Sequence, residues 1–168
     1  MRDKITATKV ITGKGKGKTT SSIGEIIRAL GKGYKIELLF FHKKKEKMSI
    51  DNVLKDFDNI NMNFFACKHP FFDKNVDNDK IMKECKEGLN YVIEKYDNDK
   101  KILFVLDEIF ISYKEDYITK KDIINLIKKK VENNGLILTG RGFPKELKKY
   151  IDIISVIKNK KYNKNYII

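Results

Sequence analysis

Apolar and polar positions follow two rhythms along this chain, and each change of rhythm marks an element. Residues 5–11 (ITATKVI) read as a strand that stops where glycines begin. Ile23, Ile26, Ile27 and Leu30 then recur at i, i+3, i+4 and i+7, one apolar face of a helix ending at Gly31 or Gly33. KIELLFF (35–41) is a second strand, 49–57 a short helix, and INMNFF (60–65) a third strand. Ile81, Cys85, Leu89, Val92, Ile93 and Tyr96 form the stripe of a long helix. ILFVL (102–106) is a continuous apolar run, the pattern of a strand covered on both faces. Thr119 and Asp122 have the spacing of a capping box, with Ile123, Ile124, Ile127 and Val131 following on one helix face. LILT (136–139) and IISVI (153–157) read as two more buried strands, with a short helix around 144–150 between them.

Strands alternating with helices predict βαβ units: an α/β fold, three layers, with a mostly parallel sheet and helices on both faces. No linker, repeat or low-complexity block interrupts the 168 residues, so 1–168 reads as a single domain. Ligands of such sheets bind at the carboxyl ends of the strands. The chemically suggestive residues all lie there. A glycine-rich stretch follows the first strand, Asp107-Glu108 follows ILFVL, and Thr139-Gly140-Arg141-Gly142 closes LILT.

That stretch is TGKGKGKTTSS, Thr12 to Ser22. A phosphate loop needs glycines for unusual backbone angles, a lysine for phosphates and a hydroxyl for magnesium, all at a helix N-terminus. Gly13, Gly15 and Gly17 permit the tight loop, and Gly17-Lys18-Thr19 opens the helix. The usual pattern G-x-x-x-x-G-K-[ST] would place glycine at position 12, where this chain has Thr12. An ordinary strand-to-helix turn with stray lysines leaves the three alternating glycines unexplained. Asp107 ends a buried strand, where a phosphate-loop NTPase-like fold places a carboxylate for Mg²⁺ opposite the hydroxyl, in this chain Thr19. Acidic residues commonly end strands, so Asp107-Glu108 alone says little. Joined to the loop, the pair reads as part of a nucleotide triphosphate site.

Composition narrows the partners. The net charge of +13 invites a nucleic-acid reading, yet Arg2, Arg28 and Arg141 are the only arginines among 36 basic residues. Arginine is the usual reader of guanine edges and the usual bidentate phosphate clamp. Lysines scattered evenly among Asn and Ile do not make a docking face, and no nucleic-acid partner is expected. No apolar run of about 18 residues occurs, and MRDKITATKV has no signal-peptide core, so no membrane role is expected. Cys67 and Cys85 make no disulfide framework and read as reduced cytoplasmic thiols.

TGKGKGKTT, then LDE (106–108), then LTGRG (138–142) resemble, in order and spacing, the phosphate-loop ATP:corrinoid (cob(I)alamin) adenosyltransferases of the cobalamin pathway. The resemblance runs from about Thr12 through Ile157, strongest over 12–33 and 102–147. Members read TGxGKGKTT, matched by Gly13, Gly15, Gly17, Lys18, Thr19 and Thr20, while Lys14 stands where many carry Asn or another small polar residue. Relatives usually place Lys-Gly after the second strand, where this chain has FFHKKKEK, and continue past the last strand with a glycine-containing basic tail, where it has IKNKKYNKNYII.

The resemblance implies attack by a reduced Co(I) corrinoid on C5′ of ATP, with triphosphate leaving. No Ser, Cys or His nucleophile is then needed, and none is apparent. It implies an ATP cradle of Thr12, Gly13, Lys14, Gly15, Lys16, Gly17, Lys18, Thr19 and Thr20, with Arg141 on the nucleotide. Mg²⁺ would lie between Thr19 and Asp107, with Glu108 supporting its shell; Lys18, Glu108 and Arg141 would carry the catalysis. Phe71 or Phe72 would pack where the lower axial ligand of the corrinoid is displaced, with a plain packing role as the alternative. Further implied partners are an electron-donating reductase and a second copy in a homodimer. Two other readings stand beside this one: a relative that binds ATP without transfer, favoured by the altered tail, and an NTP hydrolase or kinase in which Glu108 positions water. Cys67 and His69 suggest a metal pair but lack further ligands, and His42 shows no partner in the sequence.

Overall fold

Among the residues that the computed structural model describes (4–44, 50–70, 73 and 75–161), six strands form one sheet. They are β1 (Thr8–Thr12), β2 (Lys35–Phe41), β3 (Ile60–Phe65), β4 (Ile102–Asp107), β5 (Asn134–Thr139) and β6 (Ile153–Val156), paired in the order β3-β2-β4-β5-β1-β6. Every pairing is parallel. Parallel neighbours need a crossover, and the connections carry the helices α1 (Lys18–Leu30), α2 (Asp51–Leu54), α3 (Asn78–Lys95), α4 (Ile109–Lys114) and α5 (Lys120–Lys129). Among the described residues no helix is long and apolar enough to cross a membrane.

The apolar runs of the central strands are explained by burial on both faces. In β4, Leu103 and Val105 pack with Ile26 and Ala29 of α1, while Phe104 and Leu106 pack with Cys85, Leu89, Ile123 and Leu126 of α3 and α5. Alternate residues therefore feed two separate cores, and every side chain of the strand can be apolar. Thr119 accepts from the Asp122 N–H while the Asp122 carboxylate accepts from the Thr119 N–H, closing the capping box that starts α5.

Several expected boundaries shift. The first strand begins at Thr8, and Lys4–Thr6 forms a 3-10 turn whose Ile5 is still buried. The helix within 49–57 is the single turn Asp51–Leu54, and 145–150 is 3-10 rather than α-helical. On α1 Ser22, Ile26 and Ala29 are buried and Ile23 and Leu30 pack partly buried against the same core, so of the expected face only Ile27, 49% exposed, turns away. The expectation of a buried strand at 153–157 is corrected. Among the described residues β6 pairs only with β1, at the end of the strand order, and Ile153 and Val156 are exposed. Its residues are apolar without being covered on both faces.

The strands' carboxyl ends share one feature. β1 to β5 are each followed directly by a residue with positive φ: Gly13 (108°), His42 (57°), Ala66 (50°), Glu108 (63°) and Gly140 (135°). Three of these are not glycine, and a left-handed backbone costs such residues about 1–2 kcal/mol each. The chain thus leaves the sheet sharply at one edge, and the cleft lies along that edge.

Candidate functional site

The glycine-rich loop rests on the chain that leaves β6. The Gly15 N–H donates to the Ile157 carbonyl at 3.0 Å, and the Ile157 N–H donates to the Thr12 carbonyl at 2.8 Å. A Cβ on Gly13 would lie 2.3 Å from the Ile157 carbonyl oxygen, and one on Gly15 would lie 2.8 Å from it. Gly17 has open space around it but φ of 108°, the left-handed turn that starts α1. Gly15 is there for close approach, Gly17 for backbone angle, and Gly13, also at a φ of 108°, for both.

Thr12 stands where the usual phosphate-loop pattern has glycine. Its hydroxyl donates to the Gly140 carbonyl at 2.8 Å, tying the end of β1 to the end of β5. Lys18 is the first residue of α1 and is buried; its ammonium lies 3.2 Å from the Gly13 carbonyl oxygen and 2.9 Å from that of Gly15. It spans the loop it is meant to serve. Burial holds its pKa below the usual lysine value; Glu108 and Asp107 oppose that shift, while Arg141 and Lys43 add to it. Lys14, Lys16 and Thr20 are exposed, and the Lys16 N–H donates to Oδ1 of Asn159 at 3.2 Å.

Across the cleft the last residue of β4, Asp107, is fully buried. Thr139 of β5 donates its hydroxyl to Asp107 Oδ1 at 2.7 Å, and the Thr19 hydroxyl lies 3.2 Å from both carboxylate oxygens. The Lys43 ammonium contacts Asp107 Oδ2 and lies 3.2 Å from the Thr19 hydroxyl oxygen. Glu108 follows with its left-handed backbone, half-buried on the cleft wall. Burial first, and the neighbouring Asp107 second, push its pKa above the usual carboxylate value; Lys43, Lys18 and Arg141 pull the other way. The oxygen donors of Thr19 and Asp107 fit Mg²⁺, which takes one or two carboxylates and completes its shell with substrate phosphates and water. Among the described residues no three His, Cys, Asp or Glu side chains gather into a metal site of their own.

The cleft has a volume of about 1220 Å³. Typical small-molecule pockets span about 300–1,000 Å³, so it is roomy for a nucleotide alone. The whole loop from Thr12 to Thr20 lines it, with Glu108 and the exposed Arg141 opposite, and Phe41 and Phe143 among its apolar walls. Thr12, Gly13, Lys14, Gly15, Lys16, Gly17, Lys18, Thr19, Thr20, Glu108 and Arg141 line this one cleft, with Asp107 bonded behind them. Phe71 and Phe72 lie outside the described residues.

His42, without an evident partner in the sequence, has two. Its Nε2 is 2.8 Å from the Ser112 hydroxyl and its Nδ1 is 3.3 Å from the Lys68 carbonyl oxygen. Burial lowers its pKa to about 4, so the ring is neutral at pH 7. Cys67 is exposed and Cys85 is buried. Sequence reasoning missed three contributors: Lys43, one lysine in a lysine run; Asn159, in a segment read as tail; and Thr139, a strand-end threonine given no role.

A family model described as ATP:corrinoid adenosyltransferase BtuR/CobO/CobP matches residues 5–166. A corrinoid adenosyltransferase of Escherichia coli (strain K12) is 24% identical over 153 residues, spanning 91% of this chain and 76% of that protein. One from Sinorhizobium sp is 26% identical over 164 residues, spanning 92% and 76%. Among solved structures, the assembled ATPase EscN of the enteropathogenic E. coli type III secretion system superposes with a TM-score of 0.58 at 13% identity. It covers 90% of this chain, which spans 43% of EscN. The genome packaging NTPase B204 from Sulfolobus turreted icosahedral virus 2, in complex with AMP, gives 0.50 at 13% identity, covering 95% and 78%. The two structures share the fold.

Proposed function

The chain belongs to the ATP:corrinoid adenosyltransferase family, and on that premise we propose that it transfers the 5′-deoxyadenosyl group of ATP to Co(I) of a corrinoid. The Co–C5′ bond forms as the C5′–O bond breaks. The electron pair of that bond leaves with triphosphate, and the cobalt is oxidised from Co(I) to Co(III) as it gains the alkyl group. The carrying observation is the glycine loop with Lys18 across it, set beside the buried Asp107 in a cleft larger than a nucleotide needs.

The protein's share of this reaction is to hold a highly charged leaving group and to present the ribose carbon in line. Lys18 and the amides at the start of α1 would take the triphosphate, with a helix N-terminus behind them. To do so Lys18 must exchange the Gly13 and Gly15 carbonyls for phosphate oxygens. Thr19 and Asp107 would hold Mg²⁺, with Glu108 in its outer shell, where the ion offsets triphosphate charge. Arg141, on the rim of the cleft, would contact the nucleotide. Phe71 or Phe72 keeps the corrinoid role that the resemblance implies. A reductase that supplies Co(I), a homodimer and a cytoplasmic setting complete the proposal.

One anaerobic assay tests it: protein, ATP, Mg²⁺ and chemically reduced cobalamin, with the alkylated product and the product phosphates resolved. Adenosylated corrinoid with stoichiometric triphosphate is expected. ADP and phosphate without alkylated product would make the protein an NTP hydrolase or kinase. ATP binding with no product would make it a non-catalytic relative.

A further inference from the structure

His42 turns the chain out of β2 on a left-handed backbone, and the next residue, Lys43, enters the cleft wall. The Lys43 ammonium touches Asp107 Oδ2 and lies 3.2 Å from the Thr19 hydroxyl oxygen. Thr19 and Asp107 are the two side chains that would take Mg²⁺. We propose that Lys43 is a tethered cation that holds the metal position in the nucleotide-free protein and leaves it when Mg²⁺ arrives with ATP.

Electrostatics drives the exchange. Asp107 is fully buried, and a buried carboxylate without a counter-charge is costly. Hydroxyls from Thr139 and Thr19 share its charge but do not neutralise it. The Lys43 ammonium does. A divalent ion arriving alone would have to expel that ammonium into the cleft beside Lys18 and Arg141, against like charge. An ion arriving with triphosphate brings its own excess of negative charge, which gives the displaced ammonium a new partner. The Lys43 side chain is 26% exposed, so its head can swing away without unmaking the core. Metal and nucleotide affinities are then coupled, and linkage makes the coupling reciprocal.

The inference rests on the assignment of Mg²⁺ to Thr19 and Asp107, and the test separates the two. Mn²⁺ in place of Mg²⁺ allows free and bound metal to be counted by electron paramagnetic resonance, with and without ATP. Wild-type protein should bind Mn²⁺ weakly alone and tightly with ATP. Lys43→Met should bind Mn²⁺ without nucleotide on the order of tenfold tighter than wild type, a coupling within the usual range. Lys43→Arg keeps the charge and should stay weak, which separates charge from packing. Equal nucleotide-free affinities in wild type and Lys43→Met would overturn the inference while Asp107→Asn still weakens Mn²⁺ in the ATP complex. If Asp107→Asn leaves Mn²⁺ in the ATP complex untouched, the metal assignment itself is wrong and the inference goes with it.

Discussion

Thr139 fixes Asp107 from the neighbouring strand: its hydroxyl donates to Asp107 Oδ1 at 2.7 Å and accepts the Glu108 N–H at 2.9 Å. One oxygen therefore sets both the carboxylate and the backbone turn that follows it. β4 and β5 run in parallel register, Leu106 opposite Leu138, which brings the residues that follow, Asp107 and Thr139, level with each other. Thr139 is fully buried, so no water replaces it at low cost.

Thr139→Val keeps the shape and deletes that oxygen. The Glu108 N–H and one side of Asp107 then lose their partner, at about 1–3 kcal/mol for an unsatisfied buried group. Thermal unfolding should fall accordingly, and the Mg²⁺ concentration needed for tight ATP binding should rise. A variant with wild-type Tm and wild-type Mg²⁺ requirement would remove Thr139 from the site.

The loop glycines should respond unequally to alanine. Gly13→Ala meets both a φ of 108° and the Ile157 carbonyl oxygen at 2.3 Å. Gly17→Ala meets the same φ with nothing within 4 Å, leaving only a backbone penalty of about 1–2 kcal/mol. Gly13→Ala should therefore lose more stability and should detach the loop from β6, shifting the Ile157 amide in NMR spectra. Equal loss in the two variants would mean that the loop does not rest on that strand.

Lys18→Ala should abolish the stabilisation that ATP gives. A ligand at 100 times its Kd raises stability by about 2.7 kcal/mol, a shift easily read by thermal unfolding. Transfer should also fall by about 10²–10³-fold, the usual cost of one preorganised transition-state donor. An unchanged ATP-dependent Tm shift in this variant would remove the phosphate-loop assignment.

What is legible in the sequence follows from local physics. The central strands β2, β4 and β5 and the phosphate loop are readable because an apolar run covered on both faces, or GKTT at a helix start, seldom arises for another reason. The outer strand β6 misleads because Ile153, Ile154 and Val156 carry the composition of a covered strand, and only pairing order reveals an edge. On α1 a small or polar residue can face the sheet, so Ser22 and Ala29 go inward while Ile27 does not. Lys43, Asn159 and Thr139 act across long sequence separations, and one lysine among 36 basic residues carries no local mark. The glycine turns at β1 and β5 announce themselves. The left-handed His42, Ala66 and Glu108 do not, because nothing in those residue types demands positive φ.

Acid should destabilise the fold in part through His42. This residue is 3% exposed, hydrogen-bonded to Ser112, and titrates at about 4 instead of 6.5, because burial disfavours the charged ring. The unfolded chain therefore takes up a proton below pH 6.5 that the folded protein refuses until about pH 4. Stability carried by the neutral ring is fully present above 6.5 and is lost as pH falls through that window. At about 1.36 kcal/mol per unit the loss is on the order of 3 kcal/mol. His42→Asn should keep the turn, because Asn tolerates a left-handed backbone, and it removes the titrating group. Wild type should lose more Tm than the variant between pH 7 and pH 4, since the carboxylates that drive the rest of acid unfolding are common to both. Parallel Tm curves across that range would show that His42 is not buried neutral beneath the cleft.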